Sequence, residues 1–347
     1  MKPVLVNRRV QVTVVVFLAF IVSDNASKLR AQNESIRFTR LTVEDGLSQN
    51  AVTCILQDRD GFMWFGTQHG LNKYDGHNLT TYYHEPADTF SLSGDQINVM
   101  YEDRQENLWF LTYRHLNELK RQDKSKGRFA SYEIQGETIC EDDSGLYWVG
   151  LPYGFLHFDP RQNKIIQRLD YPEVFHVTSN MLQDRDGAIW FGTVSGDILQ
   201  LARGNDGRWS FTNYRHHPAT PSRLPPSPVV SIQFADDGAE KILWMGMNGG
   251  GLCRMRLANN RVVACEHFFH DPANPRSLSS NFVQSLLLDK TGTLWVGANG
   301  GGLCKLIWHE KSKAEFIRYQ NNPAAPRCFL LENYPKGQLR LQINSLS

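Results

Sequence analysis

Asp58-Arg-Asp-Gly61-Phe-Met-Trp64-Phe-Gly66 decides the fold, because the chain keeps returning to it. Asp142, Gly145, Trp148 and Gly150 stand at the same spacing, as do Asp184, Gly187, Trp190 and Gly192, and then Asp289, Gly292, Trp295 and Gly297. Two copies are weaker. Asp103 and Trp109 keep the spacing with Glu106 and Leu111 in the glycine places; Gly246 follows Trp244, but two additional residues separate that Trp from Asp236. Successive motif tryptophans lie 45, 39, 42, 54 and 51 positions apart. An aromatic and glycine motif recurring at such a period marks a repeat architecture.

Around the first copy, Val52 to Asp58, Phe62 to Gln68, Leu71 to Asp75 and Leu79 to Tyr83 are short runs rich in β-branched and aromatic residues, separated by turn residues. They predict four antiparallel strands in a meander. One such unit per 40–50 residues is the size of a propeller blade, so the expected fold is an all-β propeller with six recognisable blades of an incomplete seven-bladed ring. Asp58 and Gly61 are turn chemistry: a carboxylate that accepts backbone hydrogens and a residue free to take positive φ. Trp64 is expected to pack between neighbouring sheets, with Gly66 on the same face leaving room beside it. The Asn248 to Cys253 and Asn299 to Cys304 segments, each with three glycines, read as longer turns rather than nucleotide loops.

A second repeated element lies between blades: His84-Glu-Pro86, His217-Pro218, His270-Asp-Pro272 and Asn322-Pro323, two of them running into Ser-Leu-Ser at Ser91 to Ser93 and Ser277 to Ser279. Proline removes a ladder donor and fixes φ, so these stretches end an outer strand and carry the chain to the next inner one.

With Leu41-Thr-Val-Glu-Asp-Gly-Leu-Ser-Gln-Asn50 leading into the first copy, and Gly70-Leu-Asn-Lys-Tyr-Asp75 after it, the chain resembles the two-component regulator propeller family over roughly Leu41 to Leu306. The resemblance implies the ligand-sensing, extracytoplasmic region of a bacterial signal-transduction protein. Members of that family continue into a second propeller, a β-sandwich, a membrane helix and a histidine kinase, diguanylate cyclase or DNA-binding output. It also implies a small-molecule or oligosaccharide ligand, pairing of sensor copies, and a phosphorelay downstream. Ile36 to Leu41 resembles an outer strand like Ala314 to Tyr319, and Phe329-Leu-Leu331 with Leu339 to Ile343 resembles a degenerate hairpin. The expected organisation is therefore a leader or tether over 1–31, propeller repeats over 36–328, and a truncated seventh blade over 329–347.

The rest of the sequence bounds the function. With 37 basic residues against 36 acidic ones, nothing electrostatic favours nucleic acid. Lys2, Arg8 and Arg9 precede the apolar Val10 to Val22, the order and length of a signal-peptide core, which left uncleaved would tether the chain to a membrane. The six cysteines, Cys54, Cys140, Cys253, Cys265, Cys304 and Cys328, read as small hydrophobes, four of them within strand patterns.

Enzymatic and metal readings fare less well. The Asp58-Arg-Asp60 and Asp184-Arg-Asp186 turns lack the further oxygens of a calcium loop. The Asp289 to Trp295 segment is similar to a quinone-docking motif, but its spacing is that of every other blade. Streptogramin lyases have similar repeats; a lyase would need a general base, with His69, His115 and His176 as candidates. The eleven histidines share no position across the repeats, and His77, His84, His217 and His270 read as linker or turn residues. Tyr74, Tyr83, Phe158, Tyr214 and Tyr319 suit either a carbohydrate groove or inter-blade packing. No catalytic residue, metal ligand or cofactor is expected.

Overall fold

In a computed structural model, residues 38–39, 41–170, 177–214, 226–237, 240–309, 313–319 and 330–331 are described. The first repeat forms blade 1, in which Val52–Gln57, Met63–Thr67, Leu71–Tyr74 and Leu79–Tyr82 pair antiparallel in chain order. Its first turn closes with the Gly61 amide donating to the Asp58 carbonyl at 2.9 Å, Gly61 holding a φ of +94°.

Five more blades repeat the meander. Blade 2 is Val99–Glu102, Leu108–Leu111, Leu116–Leu119 and Ala130–Tyr132. Blade 3 is Thr138–Glu141, Tyr147–Leu151, Gly154–Asp159 and Lys164–Asp170, and blade 4 is Leu182–Gln183, Ile189–Gly192, Ile198–Arg203 and Trp209–Tyr214. Blade 5 is Val229–Asp237, Glu240–Met247, Gly251–Ala258 and Arg261–Phe268; blade 6 is Val283–Leu288, Leu294–Ala298, Gly302–His309 and Lys313–Tyr319. The two residues added before Trp244 lengthen the first hairpin, with Asp236 pairing across it to Lys241. Consecutive blades meet along their first strands, so these lie innermost and the fourth strands form the rim. Among the described residues these strands make an all-β propeller of six four-stranded blades.

Five apolar clusters join consecutive blades among the described residues, and five of the six motif tryptophans reach from their own sheet to the next. Trp64 packs with Met100 and Phe110, Trp109 with Ile139 and Val149, Trp148 with Ile189 and Phe191, Trp190 with Leu243 and Met245, and Trp244 with Leu286 and Val296. An indole is large enough to fill the gap between two twisted sheets, and its burial supplies much of the inter-blade attraction.

The Trp-x-Gly glycine makes room for a different neighbour from the one the pattern predicts. A Cβ on Gly66 would stand 2.5 Å from the Cys54 sulfur and 2.9 Å from Ile97. On Gly192 and Gly246 it would stand 2.5 Å from Val229 and 2.6 Å from Val283. At Gly192 and Gly246 the space is taken by the chain arriving at the next blade, and at Gly66 and Gly150 first by the blade's own first strand, through Cys54 and Thr138; at none of them is it taken by the indole. In blade 2 Leu111 occupies the glycine place, and on the arriving segment Gly136 would set a Cβ against Val149 and 3.4 Å from Leu111.

The two linkers that run into Ser-Leu-Ser are folded turns. Ser91 Oγ accepts from the Glu85 amide at 2.9 Å and donates to the Glu85 carbonyl at 3.0 Å, as Ser277 does for Asp271 at 2.8 and 3.0 Å. Leu92 and Leu278 are fully buried beside them. His84 and His270 each set Nδ1 against the carbonyl eight residues on, that of Leu92 or Leu278. These two histidines thus do share a position across repeats, contrary to expectation.

Cys54, Cys140, Cys253 and Cys304 are buried and Cys265 is half-buried. Apart from the propeller, Phe38–Thr39 pairs antiparallel with Leu330–Leu331. The expected leader over 1–31, His176, His217, Cys328 and the Leu339 to Ile343 strand lie outside the described residues.

Candidate functional site

The motif aspartates bind more than their own turns. One oxygen of Asp58 accepts the Phe62 amide at 2.9 Å, and the other accepts the Trp64 indole N–H at 2.9 Å. The same indole bond recurs from Trp109 to Asp103 at 2.9 Å, from Trp190 to Asp184 at 2.7 Å and from Trp295 to Asp289 at 2.8 Å. The six-residue interval from Asp to Trp is the spacing that lets a turn carboxylate reach a ring mid-strand.

In three blades the next blade adds a second donor to that oxygen. Lys124 Nζ reaches Asp58 and Asp60, each at 3.3 Å. The Tyr147 hydroxyl donates to Asp103 at 2.7 Å, and burial together with that bond pushes its phenol far above the usual range. Lys241 Nζ reaches Asp184 at 2.7 Å and Asp186 at 2.5 Å, a contact that holds the Asp186 carboxyl below its ordinary pKa. The two Asp-x-Asp-Gly turns weighed as calcium loops therefore each hold a lysine ammonium, drawn in the first case from 66 residues away. Lysine gave no sequence signal for this, having no fixed offset from the motif.

Blade 3 departs from the pattern. His157 Nε2 takes the Asp142 oxygen at 2.7 Å, and its ring lies flat on Trp148 with centroids 4.3 Å apart and planes within 6°. The Trp148 N–H is left without an acceptor. Burial alone would raise the Asp142 carboxyl, but hydrogen bonds from His157, Ser144 and the Leu146 amide carry it below the usual range. These groups are buried between sheets and act as latches.

A surface suited to binding lies on one face. In an up-and-down blade, the turns between second and third strands share a face with the linkers. That face carries exposed aromatic and apolar side chains at the same turn of successive blades: Tyr113 is 68% exposed, Tyr153 57%, Val194 41% and, beside the blade 5 turn, Phe282 52%. Asn248 bridges to Phe282 there. His69 and Arg114 flank this series, His69 with Nδ1 3.5 Å from Asp95 and its ring 5.2 Å from that of Tyr83. Aromatic planes beside hydrogen-bonding groups suit a ligand with both apolar and polar faces.

The side chains singled out from the sequence are scattered. Tyr83 belongs to this face, but Phe158 is buried against Tyr132, Tyr214 stacks on Trp190, Tyr319 lies by Trp295, and Tyr74 donates to the Gly76 carbonyl. His115 closes its turn through its backbone carbonyl, and the His77 amide is held by Asp75. Tyr113, Tyr153 and Phe282 were missed because they lie in turns of dissimilar sequence.

Residues 46–69, 91–114, 172–195 and 277–300 match the two component regulator propeller family. The chain is 45% identical over 78 residues to histidine kinase P4 of Formosa agariphila, an alignment covering 22% of this chain and 6% of the kinase. In structure it is similar to the extracellular domain of a hybrid two component system from B. thetaiotaomicron, at 19% identity, covering 83% of this chain and 40% of that one with a TM-score of 0.50. It is also similar to virginiamycin B lyase from Staphylococcus aureus, at 15% identity, covering 79% of this chain and 87% of the lyase with a TM-score of 0.57. Both likenesses establish the propeller fold, and the chain spans well under half the length of the kinase and of the hybrid-system domain. Each of the four matched segments contains one of the Asp-to-Trp turns, so these four repeats are similar to those of the two component regulator propeller family.

Proposed function

We propose that this propeller is the extracytoplasmic ligand-sensing region of a bacterial two-component signalling protein, and that a small molecule or oligosaccharide binds across the face bearing Tyr113, Tyr153 and Phe282. The exposure of those rings at successive turns carries the reading: large apolar side chains left in water on one face mark a binding surface. The kinase relative, of which this chain matches a small part, supports an output located elsewhere in a longer polypeptide. Ligand contact across several blades would change how paired sensors pack, and that change would be the signal.

A thermal-shift screen of oligosaccharides and small metabolites tests this. Binding to the native state raises the melting temperature by mass action, and Tyr113→Ala with Tyr153→Ala should abolish the shift while leaving the unliganded melting temperature within about a degree, as for surface substitutions. If no compound shifts the protein, or the double variant responds like the wild type, this site is wrong. The likeness to a lyase fold supplies the rival reading, in which product would form from a streptogramin and chelation would stop it.

A further inference from the structure

Blade 5 holds a pair of thiols that the sensing function does not use. Met255, on its third strand, pairs directly with Cys265 on its fourth, and Cys253 pairs with His267. Cys253 and Met255 are two apart and so point to the same side of the sheet, and both belong to the cluster against which Cys265 also packs. The two cysteines are therefore diagonal neighbours on one face of a two-strand ladder. Strand twist shortens one diagonal of such a ladder and lengthens the other. Here a break in register between Arg256 and Leu257, one step from the Met255 pair, sharpens the twist locally.

We propose that Cys253 and Cys265 are a modification site, closing on oxidation into a cystine that clasps the third and fourth strands of blade 5. Cys265 is the half-buried member, open to a solution oxidant, and Cys253 is buried behind it. The neighbouring Cys253 holds the Cys265 thiol below the ordinary thiol pKa, while Cys265 and burial raise Cys253 well above it. That asymmetry fits an attacking and a resolving thiol. The Cys265 thiolate attacks one sulfur of an external disulfide, releasing one thiol and forming a mixed disulfide. Cys253, losing its proton to solvent, then attacks the Cys265 sulfur and expels the second thiol. Two protein S–H bonds become one S–S bond, and the external disulfide takes up both electrons. Diagonal geometry is not the relaxed arrangement for a cystine, so the clasp is of the labile, reducible kind.

The full chain, reduced and then incubated with oxidised glutathione, is unfolded and alkylated without reductant, and its peptides are mapped by mass spectrometry. Two of the six cysteines should escape alkylation, in one peptide pair linking Cys253 to Cys265, and the oxidised protein should melt several degrees above the reduced one. Alkylation of all six, or a linked pair other than this one, overturns the proposal. So would loss of two alkylatable thiols in a Cys265→Ser variant, which should instead retain every remaining thiol.

Discussion

At the scale of the residue, one carboxylate oxygen in each of blades 1, 2 and 4 is shared between an indole and a donor from the neighbouring blade. Asp184 accepts from Trp190, from the Ala188 amide at 3.0 Å and from Lys241. Replacing Asp184 with Ala leaves the buried Lys241 ammonium with Asp186 and the Asn260 amide oxygen for partners, and should cost about 3–5 kcal/mol in urea unfolding. Asp142 and Asp186 have depressed folded pKa values. Their stabilisation is complete above the unfolded carboxylate value near 4, and is lost as pH falls through the folded values. Urea midpoints should therefore hold between about pH 5 and 7 and drop below about pH 4, with a shallower drop in Asp142→Asn. Glu106 sits where other blades have glycine and carries a φ of +66°, against which its 3.2 Å pair with Arg121 is a weak offset. Glu106→Gly should stabilise by about 1 kcal/mol.

At the scale of the element, spacing between sheets is set by matched sizes rather than by one conserved residue. A methyl on Gly192 has nowhere to go but into Val229 on the segment arriving at blade 5, so Gly192→Ala should cost about 1–3 kcal/mol in the same assay. Strand order, turn positions and the Asp-Gly turns were legible in the sequence because they depend on neighbours within a few residues. The Leu111 and Gly136 contact was not, since neither residue looks unusual until the two segments meet. The Ser-Leu-Ser segments were visible as a repeat, but their work, a serine closing the linker over a buried leucine, needs the linker to be folded first. Outer strands also hid a device: register breaks opposite His157 and Arg256 leave Ile166 and Val263 as bulge residues within the rim strands of blades 3 and 5, which makes those edges poor templates for further pairing.

At the scale of the whole molecule, six sheets are joined in series by five apolar clusters among the described residues. Repeat proteins whose units touch only their neighbours respond locally to damage. Trp190→Ala should cost about 3–5 kcal/mol, and hydrogen exchange should quicken in blades 4 and 5 well before blades 1 and 2; uniform acceleration would mean a single cooperative body. The sequence by itself determined the blade, because a strand, a two-residue turn and an Asp six positions before a Trp are all local and their period is written in the chain. Only the tertiary structure decided which groups satisfy the motif carboxylates, where the glycine's space is used, and which turns leave aromatic rings in water. Those depend on residues of adjoining blades brought together by packing, and no interval along the chain encodes that meeting.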